Sequence, residues 1–216
     1  MNLFSIANMY FLFELFALLL CIICYKKIQG SSIKLLPLFM LSIVLFDLIA
    51  YYRRFQGLNN GWINDCVIPF EMCYLMLMGR SFLTKSVLRN IALVCVLTYL
   101  IFFAVDELYF RDSYARLYLR SYLAGVIGLL VVVVMYGYEL LGSDKLFRFY
   151  KEPAFWVCAG ALLFYLGTLP FHLAWNVASV KFFKAYSNTK VIFYLLMCVM
   201  YAFFSVSVLC LKPKAK

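Results

Sequence analysis

From its first residues the chain alternates long apolar runs with short polar breaks. Seven of these runs are long enough to cross a hydrocarbon core of about 30 Å, which takes roughly 20 helical residues. They cover approximately 3–25, 33–52, 62–80, 87–105, 117–141, 154–175 and 190–211. Their continuity excludes barrel strands, which would be about ten residues long and alternate polar with apolar positions. The pattern therefore predicts an all-α fold, a polytopic membrane helix bundle with seven transmembrane helices. The second and third runs are the weakest, because Asp47, Asp65 and Glu71 interrupt them. Tyr51, Tyr52, Trp62, Tyr118, Trp156, Trp175 and Tyr186 fall near run ends, where an amphipathic ring sits at headgroup level. Pro153 opens the sixth run, a position at which a missing backbone N–H costs nothing.

The breaks are each about a dozen residues or fewer, against the roughly 50 that an independent domain needs. Residues 1–216 are accordingly expected to form a single seven-helix transmembrane domain with no soluble domain. The N-terminus has neither a basic stretch nor a small-residue cleavage site, so the first run is expected to be a retained anchor. Small residues predict where helices meet. Ala124 and Gly128 form a small-xxx-small pair on the fifth run, and Gly160 and Gly167 are seven apart on one face of the sixth.

Composition strengthens the membrane reading. The 216 residues are 66% hydrophobic and only 14% charged, whereas soluble domains run about 45–50% apolar and about 25% charged. The surrounding medium is expected to be a lipid bilayer. A formal charge of +10 would suggest a nucleic-acid partner in a soluble protein. Here the basic residues lie between the apolar runs, where they orient helices, and no nucleic-acid partner follows. One side would hold Lys26, Lys27, Lys34, Arg80, Lys85, Arg89, Lys145, Arg148, Lys151, Lys212, Lys214 and Lys216. The other would hold Arg53, Arg54, Arg111, Arg116, Arg120, Lys181, Lys184 and Lys190. Twelve against eight places the N-terminus outside and the C-terminus in the cytoplasm.

Chemistry-bearing residues are sparse. Most of the eight cysteines lie inside apolar runs as small hydrophobes, and Cys21 and Cys24 have redox spacing without a second ligand pair. His172 is the only histidine, which excludes a multi-histidine metal site within one chain. No serine-hydrolase motif accompanies it. The sequence therefore assigns no catalytic residue, no metal site and no cofactor.

What remains is a set of intramembrane carboxyls. Glu14, Asp47 and Glu71 lie well inside runs, where each would cost about 2.5–3.5 kcal/mol facing lipid and should instead face the bundle interior or a wet cavity. Counted at about 1.5 Å per residue they sit about ten, five and nine residues below the outer surface, so all three fall in the outer half. Arg120 and His172 lie toward the same side. Tyr10, Tyr51 and Tyr74 stand three or four positions from Glu14, Asp47 and Glu71 respectively, within helical reach. These residues form the expected ligand- or cation-binding set. Satisfied interhelical hydrogen bonds between protonated acids and phenols are the structural alternative.

Tyr138-Glu139-Leu140-Leu141-Gly142-Ser143-Asp144-Lys145, Pro153-Ala154-Phe155-Trp156, Gly160 and Leu163-Phe164-Tyr165-Leu166-Gly167 carry a resemblance. Together with the early acidic positions they resemble a family of small seven-helix membrane proteins common in Bacteroidota genomes, sometimes encoded near sensor kinases. The resemblance brings no established activity. It implies the inner (plasma) membrane of a bacterium and a compact bundle whose Tyr-Glu-Leu-Leu loop, beside Lys145, Arg148 and Lys151, faces the cytoplasm as a docking surface for a protein partner. A capped helix end is the plainer alternative, with Gly142 in the left-handed turn that often closes a helix.

The functional expectation is a non-enzymatic sensor or accessory protein that accepts a small ligand, cation or proton in an outward-facing polar cavity. Its cytoplasmic loops would act on a partner. A channel or transporter, an oligomeric pore-forming accessory of an antiphage system, and an intramembrane enzyme stay open as alternatives, as does a homo-oligomer. An apolar inner half argues against a pore within one chain.

Overall fold

The computed structural model describes residues 3–109, 119–177 and 183–211. Among the described residues the chain forms eight α-helices, α1 (Leu3–Ile23), α2 (Tyr25–Ile28), α3 (Leu36–Phe55), α4 (Gly61–Phe82), α5 (Ser86–Tyr109), α6 (Leu119–Leu141), α7 (Pro153–Val177) and α8 (Phe183–Leu209). A 3-10 segment, Asp144–Lys151, precedes α7. Each of the seven apolar runs thus corresponds to one long helix, with ends that differ from the expected ones by a few residues. Pro153 is the first residue of α7, as its missing donor favours.

Five of the helices, α3 and α5 through α8, are long and apolar enough to cross a membrane. In α1 the corresponding apolar stretch is the shorter Met9–Ile23. Helix α4 has the length, but Asp65, Glu71 and Arg80 interrupt its apolar surface. On these helices large apolar side chains point outward: Leu19, Ile22, Leu45, Ile101, Ile127 and Val134 are all exposed. A water-soluble bundle would turn such a band inward, whereas hydrocarbon accepts it, because a helix satisfies its own backbone groups. The protein is a multi-pass helical membrane protein.

The chain divides into two compact units. In the unit Leu35–Ser143, α4, α5 and α6 pack on one another and α3 packs on α4. Met72, Met76, Ala92, Val96, Val126 and Val132 form its apolar centre. Close approach there depends on α6. A Cβ on Gly125 would lie 2.9 Å from the Tyr99 ring, and one on Gly128 would lie 2.9 Å from Met76 Sδ. Gly128 thus lies at a close approach as its spacing predicts, and Gly125, one turn earlier, lies at another. In the unit Met1–Lys34 with Asp144–Lys216, α8 packs against both α1 and α7. Gly160 and Gly167 both abut α8, with a Cβ at either one falling 2.9 Å from Phe203 or Leu196, so the small face of α7 is an interhelical seam.

Helix ends are closed by specific groups. After α3, Gly57 takes φ 70°. Its N–H reaches Arg54 O and the Leu58 N–H reaches Arg53 O, which is the Schellman closure. Gly142 differs from its expected left-handed turn, since Gly57 alone among the described residues has positive φ. The end of α6 instead tightens: Ser143 N–H and Oγ both donate to Leu140 O, and the 3-10 segment follows. Helices α5 and α6 cap each other. Asp106, in the last turns of α5, accepts the Ser121 N–H at 2.8 Å. Glu139, in the last turn of α6, accepts the Thr84 N–H at 2.7 Å and the Lys85 N–H at 2.8 Å. Each helix start therefore receives a carboxylate from the end of its antiparallel neighbour, which satisfies orphan amides and complements the helix dipole.

Candidate functional site

Glu71 lies in the interior of α4, two residues after Pro69, and is 9% exposed. Pro69 has no N–H to offer the Asp65 carbonyl, so α4 enters this region with one helical hydrogen bond missing. One side of α4 meets α3 through aromatic rings. Phe70 stacks with Phe39 at 6.5 Å and meets Tyr74 at 5.4 Å and Phe46 at 5.7 Å. The Tyr74 hydroxyl donates to Leu35 O at 2.9 Å, so its one proton ties α4 to the start of α3.

The companions of Glu71 come from other helices. Tyr99 of α5 is 1% exposed and lies within electrostatic range of Glu71, Cys73 and Tyr122 of α6. Buried Glu71 of α4 and buried Tyr122 of α6 thus each neighbour Tyr99 of α5 in the interior of the unit. Tyr99 and Tyr122 are absent from the sequence-derived set, because no carboxyl stands at helical spacing from Tyr99 on α5. The available signal was a phenol in the middle of an apolar run, which burial obliges to find a polar neighbour.

Asp47 sits on α3 in the same unit and is half-buried. Tyr51, four residues on, is exposed, so it belongs to the aromatic border of α3 rather than to a buried pair. Arg120 is exposed in the first turn of α6, beside the capped Ser121.

Glu14 belongs to the other unit and is fully buried on α1. Tyr10, one turn earlier, stacks on Tyr194 of α8 at 5.2 Å with rings 1° from parallel. The helical spacing of Tyr10 and Glu14 thus corresponds to a shared location along α1, with the Tyr10 ring set against α8. His172 on α7 is half-buried and places its ring edge-on to Phe193 at 6.3 Å. Pro170, just before it, lies inside the helix, and the buried Thr168 hydroxyl donates back to the Phe164 carbonyl at 2.9 Å, a combination that bends helices.

In the 3-10 segment, Arg148 and Lys151 are exposed and Lys151 Nζ lies 5.5 Å from the Tyr150 ring centroid. Glu139 of the neighbouring Tyr-Glu-Leu-Leu stretch is engaged in capping α5. The side chains of Lys145, Trp175, Lys184, Tyr186 and Lys190 lie outside the described residues, as do Arg111, Arg116, Tyr118, Lys181, Lys212, Lys214 and Lys216. Among the described residues no three of His, Cys, Asp and Glu gather as metal ligands. Comparison with known proteins finds no matching family model, curated protein or solved structure.

Proposed function

We propose that the protein is a non-enzymatic membrane sensor or accessory protein in which Glu71, with Tyr99 and Tyr122, responds to a proton or small cation. The observation that carries this reading is the burial of Glu71 within α4 with the buried Tyr99 phenol of α5 in range, itself in range of Tyr122 on α6. A carboxyl in that position is held away from lipid, and its ionisation is coupled to the arrangement of three helices. The same reading takes seven membrane spans, an N-terminus outside, and a cytoplasmic 3-10 segment in which Lys145, Arg148 and Lys151 meet a protein partner. It also takes in the resemblance to the small seven-helix family. Glu14 and Asp47 are secondary polar positions, each read within its own unit.

The test compares wild type with Glu71→Gln and Glu71→Leu in lipid nanodiscs, recording melting temperature over a series of pH values and of sodium and potassium concentrations. Glutamine keeps the hydrogen-bonding capacity and nearly the same volume but cannot ionise. Glu71→Gln should melt close to wild type while losing the pH or cation dependence. Glu71→Leu should melt lower, by the equivalent of about 1–3 kcal/mol, because it leaves buried polar partners unsatisfied. A Gln variant that keeps the full dependence would remove Glu71 as the responsive group. Cation flux in liposomes that disappears with Glu71→Gln would shift the reading to transport.

A further inference from the structure

Where α4 runs into α5 in the Leu35–Ser143 unit, three basic residues, Arg80, Lys85 and Arg89, lie together, and the Glu139 carboxylate at the end of α6 binds the backbone between the two helices. Arg80, in the last turn of α4, donates from Nε to the Arg89 carbonyl at 3.1 Å, which holds its guanidinium against the first turns of α5. That bond uses Nε and leaves the Nη1 and Nη2 donors for a ligand. Lys85 and Arg89 are exposed beside it. Lys85 Nζ lies 5.1 Å from the ring centroid of Tyr138, itself exposed on α6. Glu139, the carboxylate at this end, has one oxygen on the Thr84 amide and the other on the Lys85 amide. It fixes the backbone that presents the cations and leaves the group with an excess of positive charge.

The surroundings decide what that charge is for. Val87 and Leu141 are both exposed next to these residues, so alkyl and cationic surfaces adjoin within one band at the ends of span-length helices. A soluble anion would meet the charges alone, whereas a phospholipid offers a phosphodiester to the cations and acyl chains to the apolar positions. Forked guanidinium donors suit phosphate oxygens, and an exposed tyrosine suits headgroup depth.

We propose that Arg80, Lys85 and Arg89, with Tyr138, form a binding site for the headgroup of an anionic phospholipid. The site is separate from the Glu71 group, and neither proposal depends on the other.

The experiment uses the full chain in a non-ionic detergent, with melting temperature recorded on adding dioleoylphosphatidylglycerol, dioleoylphosphatidylcholine or glycerol 1-phosphate. Phosphatidylglycerol should raise the melting temperature by several degrees, phosphatidylcholine much less, and glycerol 1-phosphate not measurably. The Arg80→Gln/Arg89→Gln double variant should lose most of the shift. Lys85→Gln should lose part of it and leave the Glu139 caps in place, because those caps use backbone amides. Should the double variant fail to purify, native mass spectrometry of Arg89→Gln and Lys85→Gln should show bound phosphatidylglycerol reduced by half or more. Equal shifts with both lipids, a shift reproduced by glycerol 1-phosphate, or full lipid retention in the variants would each overturn the site.

Discussion

Tyr10, Tyr51 and Tyr74 share one relation to a carboxyl in sequence and have three different fates in space. Tyr10 stacks on Tyr194, Tyr51 is exposed at the end of α3, and Tyr74 donates to the Leu35 carbonyl. Helical spacing says which side chains can touch on one helix, but a phenol has a single proton and gives it to the acceptor that packing brings nearest. For Tyr74 that acceptor is on the neighbouring helix. The Leu35 carbonyl also accepts the Phe39 N–H at 3.2 Å, so Tyr74→Phe leaves it with a partner. The expected loss is therefore near the low end of membrane hydrogen bonds, about 0.6 kcal/mol rather than the maximum of about 1.7. Chemical denaturation in mixed micelles measures it, and a loss beyond that maximum would mean that Tyr74 does more than tie α4 to α3. Tyr99→Phe should cost more, because it removes a polar group from a buried set that contains Glu71.

The α5–α6 pair shows the same principle for whole elements. Two antiparallel helices in a low-dielectric medium expose four orphan amides at each start, and each start here receives a carboxylate from its neighbour's end. Glu139→Ala and Asp106→Ala should each destabilise the protein by about 0.5–2 kcal/mol, with Glu139 the larger because two amides lose their acceptor. Glu139→Gln should recover the hydrogen-bonding part and lose only the charge–dipole part, about 0.3–1 kcal/mol. Because the two caps lie at opposite ends of long helices, the Ala effects should add in a double variant within about 0.5 kcal/mol. Equilibrium unfolding of the four variants checks this, and strong non-additivity would show that the two ends open together.

For the molecule as a whole, charge makes the strongest prediction. If all seven long helices cross, twelve basic residues fall on one side and eight on the other, so the C-terminus is expected in the cytoplasm and the N-terminus outside. Reporter fusions after Leu211 should be active only in the cytoplasm, and fusions between α3 and α4 only outside it. Each fusion reads a different count of spans from the C-terminus, so the pair also tests whether α4 crosses despite Asp65, Glu71 and Arg80. A reporter between α3 and α4 that is active on the same side as the C-terminal one would reduce the number of spans and invert the depth assigned to Glu71.

Helix positions were legible because what sets them is local: an apolar run of sufficient length forms a helix wherever water is excluded, and polar breaks end it. Apart from end shifts of a few residues, all seven runs became helices, and Gly160 and Gly167 already marked a face on which α8 could approach. The need of Glu71 for a polar setting was equally plain, since lipid offers none. Only the tertiary structure decided who answers that need. Tyr99 comes within range of Glu71 from a helix 28 residues further on and of Tyr122 on α6, Asp106 finds Ser121, and Glu139 finds Thr84 and Lys85. Each of these is a pairing between helices, and helix period carries information only along one helix. The choice of partner is made by which faces pack, and packing depends on small residues such as Gly125 that permit contact without naming what will fill it.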